Sequence, residues 1–227
     1  MMMTMINRKI LVVMSFLLLS ISAIGQEKDF GLWYEAAAEH KFSKKLEMDV
    51  SADVRTYKNA SKIEEAFLEA GLTWYLNKHL SMAGSYRLTD NIEKDNSYYF
   101  QHKYFIDVKE NGSLGRLNLS ARFRLQIRTK TYLKDESEDH PDYTGRIKLK
   151  AVYKTPSFPL DPYIYAETFL PMFSKNSGSV GKNRFSAGAE LNITRKHSVS
   201  MEYIFQRDYL PHMSDMNIIS LSYNLKF

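Results

Sequence analysis

Over residues 216–227 of the chain, Ile219, Leu221, Tyr223, Leu225 and Phe227 alternate with Ser220, Ser222, Asn224 and Lys226 up to the last residue. Successive side chains of a strand point to opposite faces, so a period of two gives one apolar and one polar side. The same pattern is clearest over 116–128, where Leu117, Leu119, Ala121, Phe123, Leu125 and Ile127 alternate with Asn118, Ser120, Arg122, Arg124, Gln126 and Arg128. It recurs with Leu46, Met48, Val50, Ala52 and Val54 opposite Glu47, Asp49, Ser51, Asp53 and Arg55. Ala66, Leu68, Ala70, Leu72, Trp74 and Leu76 repeat it opposite Glu65, Glu69 and Thr73. Helical spacing fails in all three stretches. Segments of the same kind cover 30–40, 80–89, 98–109, 143–154, 162–173, 184–194 and 199–207, making eleven with the terminal one.

No composition shift, linker or low-complexity tract interrupts these segments, which predicts one domain. Connections alternate in length. Short ones fall at 43–45, 77–79, 111–112, 156–159 and 195–197, and longer polar ones at 58–62, 90–96, 129–142, 174–182 and 208–215. Beyond the N-terminal region no apolar run is long enough for a membrane helix, and the mean hydropathy is −0.38. A chain of this kind can cross a bilayer only as a closed barrel, which pairs all its backbone groups internally and needs only alternate residues to be apolar. The segments match the roughly 9 to 11 residues of a tilted membrane strand. A final strand ending on an aromatic resembles the closing strand of a bacterial outer-membrane barrel, with Tyr223, Leu225 and Phe227 as its assembly signal.

The fold class expected is therefore all-β: a single transmembrane antiparallel β-barrel of 10 to 12 strands. The count stays open because a short turn after 30–40 makes that segment run from the long-connection end, and eleven breaks the even-strand rule. Three arrangements satisfy the pattern: ten strands starting at Leu46, twelve with an additional first strand, or an odd barrel closed in parallel.

At the N-terminus, Arg8 and Lys9 precede the apolar run 10–19, and Ala23-Ile24-Gly25 supplies small residues before Gln26. This is the layout of a cleaved secretory signal. The run is shorter than the ~20 residues a spanning helix needs. The expected organisation is a signal peptide over 1–25 and an outer-membrane barrel over 26–227, in the cell outer membrane of a Gram-negative bacterium. Loss of Arg8 and Lys9 lowers the formal charge from +5 to +3, too mild to argue for nucleic acid. Zero cysteines exclude a disulfide framework and a thiolate metal site. A secreted soluble barrel of the lipocalin kind shows identical alternation turned inside out. Segments longer than the usual 5–6 residues, the terminal aromatic, and Trp74, Tyr86, Tyr153 and Tyr223 near the ends of apolar faces favour the membrane form.

Asp29-Phe30-Gly31-Leu32-Trp33, Gly84-Ser85-Tyr86-Arg87 and Glu167-Thr168-Phe169 resemble the uncharacterised outer-membrane proteins grouped as domain of unknown function 2490. The resemblance spans most of the chain after the signal and implies a fold and a location, but no activity or substrate.

The polar face carries a charge map. Glu35, Glu39, Glu47, Asp49, Asp53, Glu65 and Glu69 crowd the first three segments, and Arg122, Arg124, Arg128, Arg146, Lys148, Lys150 and Lys154 crowd the sixth and seventh. In a barrel of this size the two walls are expected to lie about opposite each other. Either the signs meet and plug the bore, since an unpaired charge away from water is costly, or they line a narrow pore that guides small anionic solutes.

Candidate chemistry is sparse. His102 falls on an apolar face between Phe100 and Tyr104 without a serine two residues along the strand, so no nucleophile and base are expected to meet. His40, His79 and His197 fall at turns and His140 and His212 in loops, without metal-site spacing. The acidic run 135–139 before His140 has no glycine to fix a cation loop. The expectation is a non-enzymatic barrel without cofactor or metal, either a narrow channel or a plugged structural or adhesive wall protein, partnered by outer-membrane lipid and the barrel assembly machinery. A lipid-modifying barrel enzyme is the alternative.

Overall fold

A computed structural model describes residues 29–92, 98–130 and 141–227; the expected signal peptide and the acidic run 135–140 lie outside the described residues. Eleven strands are present among the described residues: β1 (Asp29–Lys41), β2 (Leu46–Tyr57), β3 (Lys62–Tyr75), β4 (Leu80–Ile92), β5 (Tyr98–Leu114), β6 (Leu117–Lys130), β7 (Asp142–Tyr153), β8 (Leu160–Met172), β9 (Lys182–Asn192), β10 (His197–Asp208) and β11 (Ser214–Lys226). Each pairs antiparallel with its sequence neighbours, and β1 pairs parallel with β11, from Asp29 opposite Met216 to Glu39 opposite Lys226. The barrel is therefore odd and closed in parallel. Segment 30–40 is a full member of the wall.

The exterior decides between the membrane and soluble barrels. Leu68, Trp74, Phe123, Leu149, Ile164 and Phe185 alternate outward and are exposed, whereas Asp53, Glu65, Lys103, Asp107, Arg124 and Glu167 are buried inside. A water-soluble barrel would have these sets exchanged, because an apolar exterior of this extent is stable only against hydrocarbon. The exterior is that of a transmembrane barrel. Trp74, Tyr153 and Tyr223 are exposed near strand ends at the short-connection side. Tyr86 departs from the expected girdle: it lies in the middle of β4, opposite Tyr104, and its hydroxyl meets His102 Nδ1 at 2.6 Å.

Two irregularities shape the long-connection end. Between β2 and β3 the register shifts, with Arg55 opposite Glu65 but Thr56 opposite Ile63. Glu64 is thus the extra residue of a bulge, a device that re-aims side chains at barrel rims. The connection expected to be one of the longer ones over 58–62 is instead a tight turn of 58–61, with Lys58, Asn59 and Ala60 at positive φ. The Asp29 carboxylate accepts the Lys58 N–H at 2.9 Å and the Asn59 N–H at 2.8 Å, which ties this turn to the start of β1. At the opposite end the Phe227 N–H donates to Glu39 O at 3.0 Å, and its ring lies 4.9 Å from that of His40.

The interior is not uniformly polar. Trp33, Ile204, Met216 and Ile218 form a buried apolar cluster with Tyr57 packed against it. Gly31 stands beside this cluster, and a Cβ there would lie 2.4 Å from Met216 Cε and 2.5 Å from Thr56 O. The β1–β11 seam is thus packed closely from within.

Candidate functional site: the charged lumen

All seven acidic and all seven basic residues of the charge map fall on or beside the predicted strands in the inward phase, but they do not act as two facing walls. The one ion pair joining the two sets among the described residues is Arg124 to Glu69, at 3.9 Å. Closer partners are residues the map left out. Arg124 donates to both oxygens of Asp107 at 2.7 Å. Arg122 and Arg146 converge on Glu167 Oε1 at 2.8 and 2.9 Å. Glu65 accepts from Arg55 at 2.8 Å and from Lys103 at 3.0 Å, and Glu69 accepts from Arg87 Nε at 2.6 Å. Arg128 pairs with Asp142 and Lys154 with Asp161 near the two ends of the wall. The reason is reach: side chains on adjacent strands start about 5 Å apart, while opposite walls are separated by the bore.

A belt of alternating arginines and aromatic rings lies among these ion pairs. Going round the lumen, the Arg55 guanidinium lies 4.1 Å from the Trp33 ring and 4.7 Å from Phe67. Arg87 lies 3.7 Å from Phe67 and 5.2 Å from Phe105, and Arg124 lies 4.3 Å from Phe105. On the far side Arg146 and Arg184 flank Phe169 at 4.4 and 4.8 Å, and Arg184 returns to Trp33 at 4.8 Å. The single break falls between Arg124 and Arg146, which are direct register partners. Their like charges are held by Asp107 and Glu167 respectively.

The chemistry of guanidinium explains why arginine fills this role. Its flat face stacks on a ring while its edge keeps N–H donors for a carboxylate, which an ammonium cannot do. Each stacked contact is worth about 0.5–1 kcal/mol when exposed and about 2 when desolvated. Sequence reading missed the belt because its rings sit in the polar phase of their strands. The available signal was an aromatic flanked two residues away by charges: Phe67 between Glu65 and Glu69, and Phe105 between Lys103 and Asp107.

Nearer the short-connection end the lumen opens into a cavity of about 400 Å³, lined by Glu47, Tyr75, Lys109, Arg122, Lys148 and Lys150 among others. Lys148 and Lys150 rest on the rings of Tyr165 and Tyr163, with Nζ at 3.6 and 3.9 Å. A second concavity of about 750 Å³ is lined mainly by Leu119, Ala121, Leu149, Ile164 and Phe185, which are wall residues in the outward phase. The histidine on the apolar face, His102, is engaged by Tyr86, and His197 Nδ1 meets the Tyr223 hydroxyl at 2.7 Å. Pairing with a phenol satisfies an imidazole that would otherwise face hydrocarbon unpartnered.

Comparison with known proteins adds the following. The family model described as protein of unknown function DUF2490 matches residues 30–217. Trp33, Arg87, Glu167 and Phe169, which lie in the three short motifs quoted above for the resemblance, are members of the belt or hold it. Among solved structures, the chain is similar to the NanC porin, at 11% identity over 78% of this chain and 86% of that one, with a TM-score of 0.49. It is also similar to the β domain of the Bordetella autotransporter BrkA, at 8% identity over 77% and 81% of the two chains, with a TM-score of 0.44. No curated protein sequence matches.

Proposed function

The chain belongs to the DUF2490 family of proteins of unknown function, and since membership brings no activity with it, we propose a function from the lumen's own chemistry. The protein is a non-enzymatic barrel of the Gram-negative outer membrane whose bore is closed by its arginine–aromatic belt. It serves as a wall protein with a blind, charged vestibule rather than as an open channel. The observation that carries this reading is the burial of groups that a conducting bore would have to wet: Phe105 is 2% exposed, Glu167 3%, Phe67 4% and Arg124 7%. Small barrels are filled by their own side chains, and here many of the filling charges are paired, Arg124 with Asp107 and both Arg122 and Arg146 with Glu167.

The location rests on the apolar exterior of the wall. The non-enzymatic reading rests on the engagement of His102 by a phenol on the lipid face. The deciding measurement is planar-bilayer conductance of the refolded protein, with folding verified by a mobility shift between heated and unheated samples. The expected result is a folded, electrically silent barrel; steady conductance steps from folded protein would overturn the closed-bore reading.

A further inference from the structure

The ion pairs that fill the belt stop at the vestibule. Lys109, Lys148 and Lys150 project into it from β5 and β7, and among the described residues none of them has a carboxylate oxygen within salt-bridge distance. Most of the nearest acids are held by other groups, and Glu202, whose charge reaches Lys148 and Lys150, accepts the Tyr165 and Ser186 hydroxyls instead of a cation. Asp107 is held by Arg124, Glu167 by Arg122 and Arg146, and Glu47 by Lys41 at 3.3 Å and by the Tyr75 hydroxyl at 3.2 Å. Lys109 is further opposed by the like charge of Arg122, and Lys148 by both Arg122 and Lys150. Ammonium groups gathered at one cavity with no carboxylate in direct contact are incompletely neutralised, and a bound anion would complete the pairing.

The remaining lining has the character of a ligand site. Thr73, Ser81 and Asn111 present hydroxyl and amide groups at the same cavity, and its volume of about 400 Å³ lies within the range of about 300–1,000 Å³ usual for small-molecule sites. Tyr163 and Tyr165 hold Lys150 and Lys148 in place from behind, so the ammonium groups are positioned before any ligand arrives. Pre-positioning of this kind lowers the ordering cost of binding.

We infer that the vestibule is a binding site for a small, hydroxylated organic anion, whose acid group is held by Lys109, Lys148 and Lys150 and whose hydroxyls meet Thr73, Ser81 and Asn111. The site rests on the closed-bore reading, since the belt makes it a blind pocket rather than a stretch of a conduction path.

The test is equilibrium titration calorimetry of the refolded full chain at constant ionic strength, with gluconate as probe, acetate as the anion without hydroxyls, and ethylammonium as the cation. Saturable binding of gluconate, at least tenfold tighter than acetate and absent for ethylammonium, is expected. Lys109→Gln/Lys148→Gln/Lys150→Gln should weaken gluconate at least tenfold, while Lys196→Gln, in the turn after β9, should leave it unchanged. If the triple variant does not fold, Thr73→Val with Ser81→Ala supplies the second arm and should bring gluconate down to the level of acetate. No saturable gluconate binding to the parent protein, equal binding of ethylammonium, or gluconate binding that survives either set of changes would overturn the site. The titration is made without a gradient and is blind to conduction, so its failure is separable from that of the closed bore, which conductance alone reads.

Discussion

The Arg184 guanidinium of β9 lies 4.8 Å from the Trp33 ring of β1, although β10 and β11 stand between these strands in the wall. This contact spans the lumen instead of following the sheet, and it joins the two arms of the belt across the parallel seam.

Removing the spanning contact should open the bore. Trp33→Ala with Arg184→Ala deletes both partners of the spanning contact at once, and leaves Arg55 its contact with Phe67 and Phe169 its contact with Arg146. Single-channel recording should show conductance in the double variant against silence in the parent, with the heat-dependent mobility shift retained. A folded double variant that stays silent would show that the belt is not the closing element.

Glu167 should be the most sensitive single carboxylate. It receives Arg122 and Arg146 and is 3% exposed. Glu167→Gln leaves two part-buried guanidiniums without their counter-charge and should cost about 3 kcal/mol. Asp142→Asn, which releases Arg128 at an exposed site, should cost under about 1 kcal/mol. Urea refolding titrations in lipid vesicles would rank the two, and the reverse order would contradict the network described.

On the outer face, Phe123 lies near the middle of β6, whereas Leu119 is its third residue and sits towards the short-connection end. Phe123→Arg should therefore destabilise by about 2–4 kcal/mol and Leu119→Arg by less, because the cost of a charge falls from the midplane to the interface. Refolding free energies of the two variants check the placement of the bilayer along the strands.

Two glycines should respond oppositely. A Cβ on Gly188 would lie 2.5 Å from Glu202 Cβ and 2.6 Å from Met201 O, whereas one on Gly84 meets nothing within 4 Å. Gly188→Ala should cost about 1–3 kcal/mol by overpacking. Gly84→Ala should be neutral or slightly stabilising, as expected where a strand glycine has no packing reason. Thermal unfolding of the pair decides it.

The wall was legible in the sequence because alternation is a local property: each segment from 30–40 to the terminal strand announces its two faces without knowledge of its neighbours. The strand count and the closure were not, since whether Trp33 pairs with Ser220 is a fact about residues far apart that no window contains. The inward direction of the fourteen mapped charges was also readable, whereas their partners were not. Arg122 finds Glu167 two strands away, and Glu65 finds Lys103 likewise, so partnership depends on register and tilt. The rings of Phe67, Phe105 and Phe169 were hidden by the rule that exposed the wall, because in the polar phase of a strand an aromatic reads as an exception.

Ten of the eleven joints in this wall, counted among the described strands, link consecutive elements, and one links residues such as Asp29 and Met216 from the two extremes of the sheet. Joining consecutive hairpins loses little chain entropy, while a remote joint loses more and is slower to find. Until that last joint forms, the growing ribbon carries two bare edges and the belt stays open, since its Trp33–Arg184 contact needs β1 and β9 brought within reach of each other. Assembly should thus register as a single late event, with compactness, protease resistance and the closed belt all arriving together.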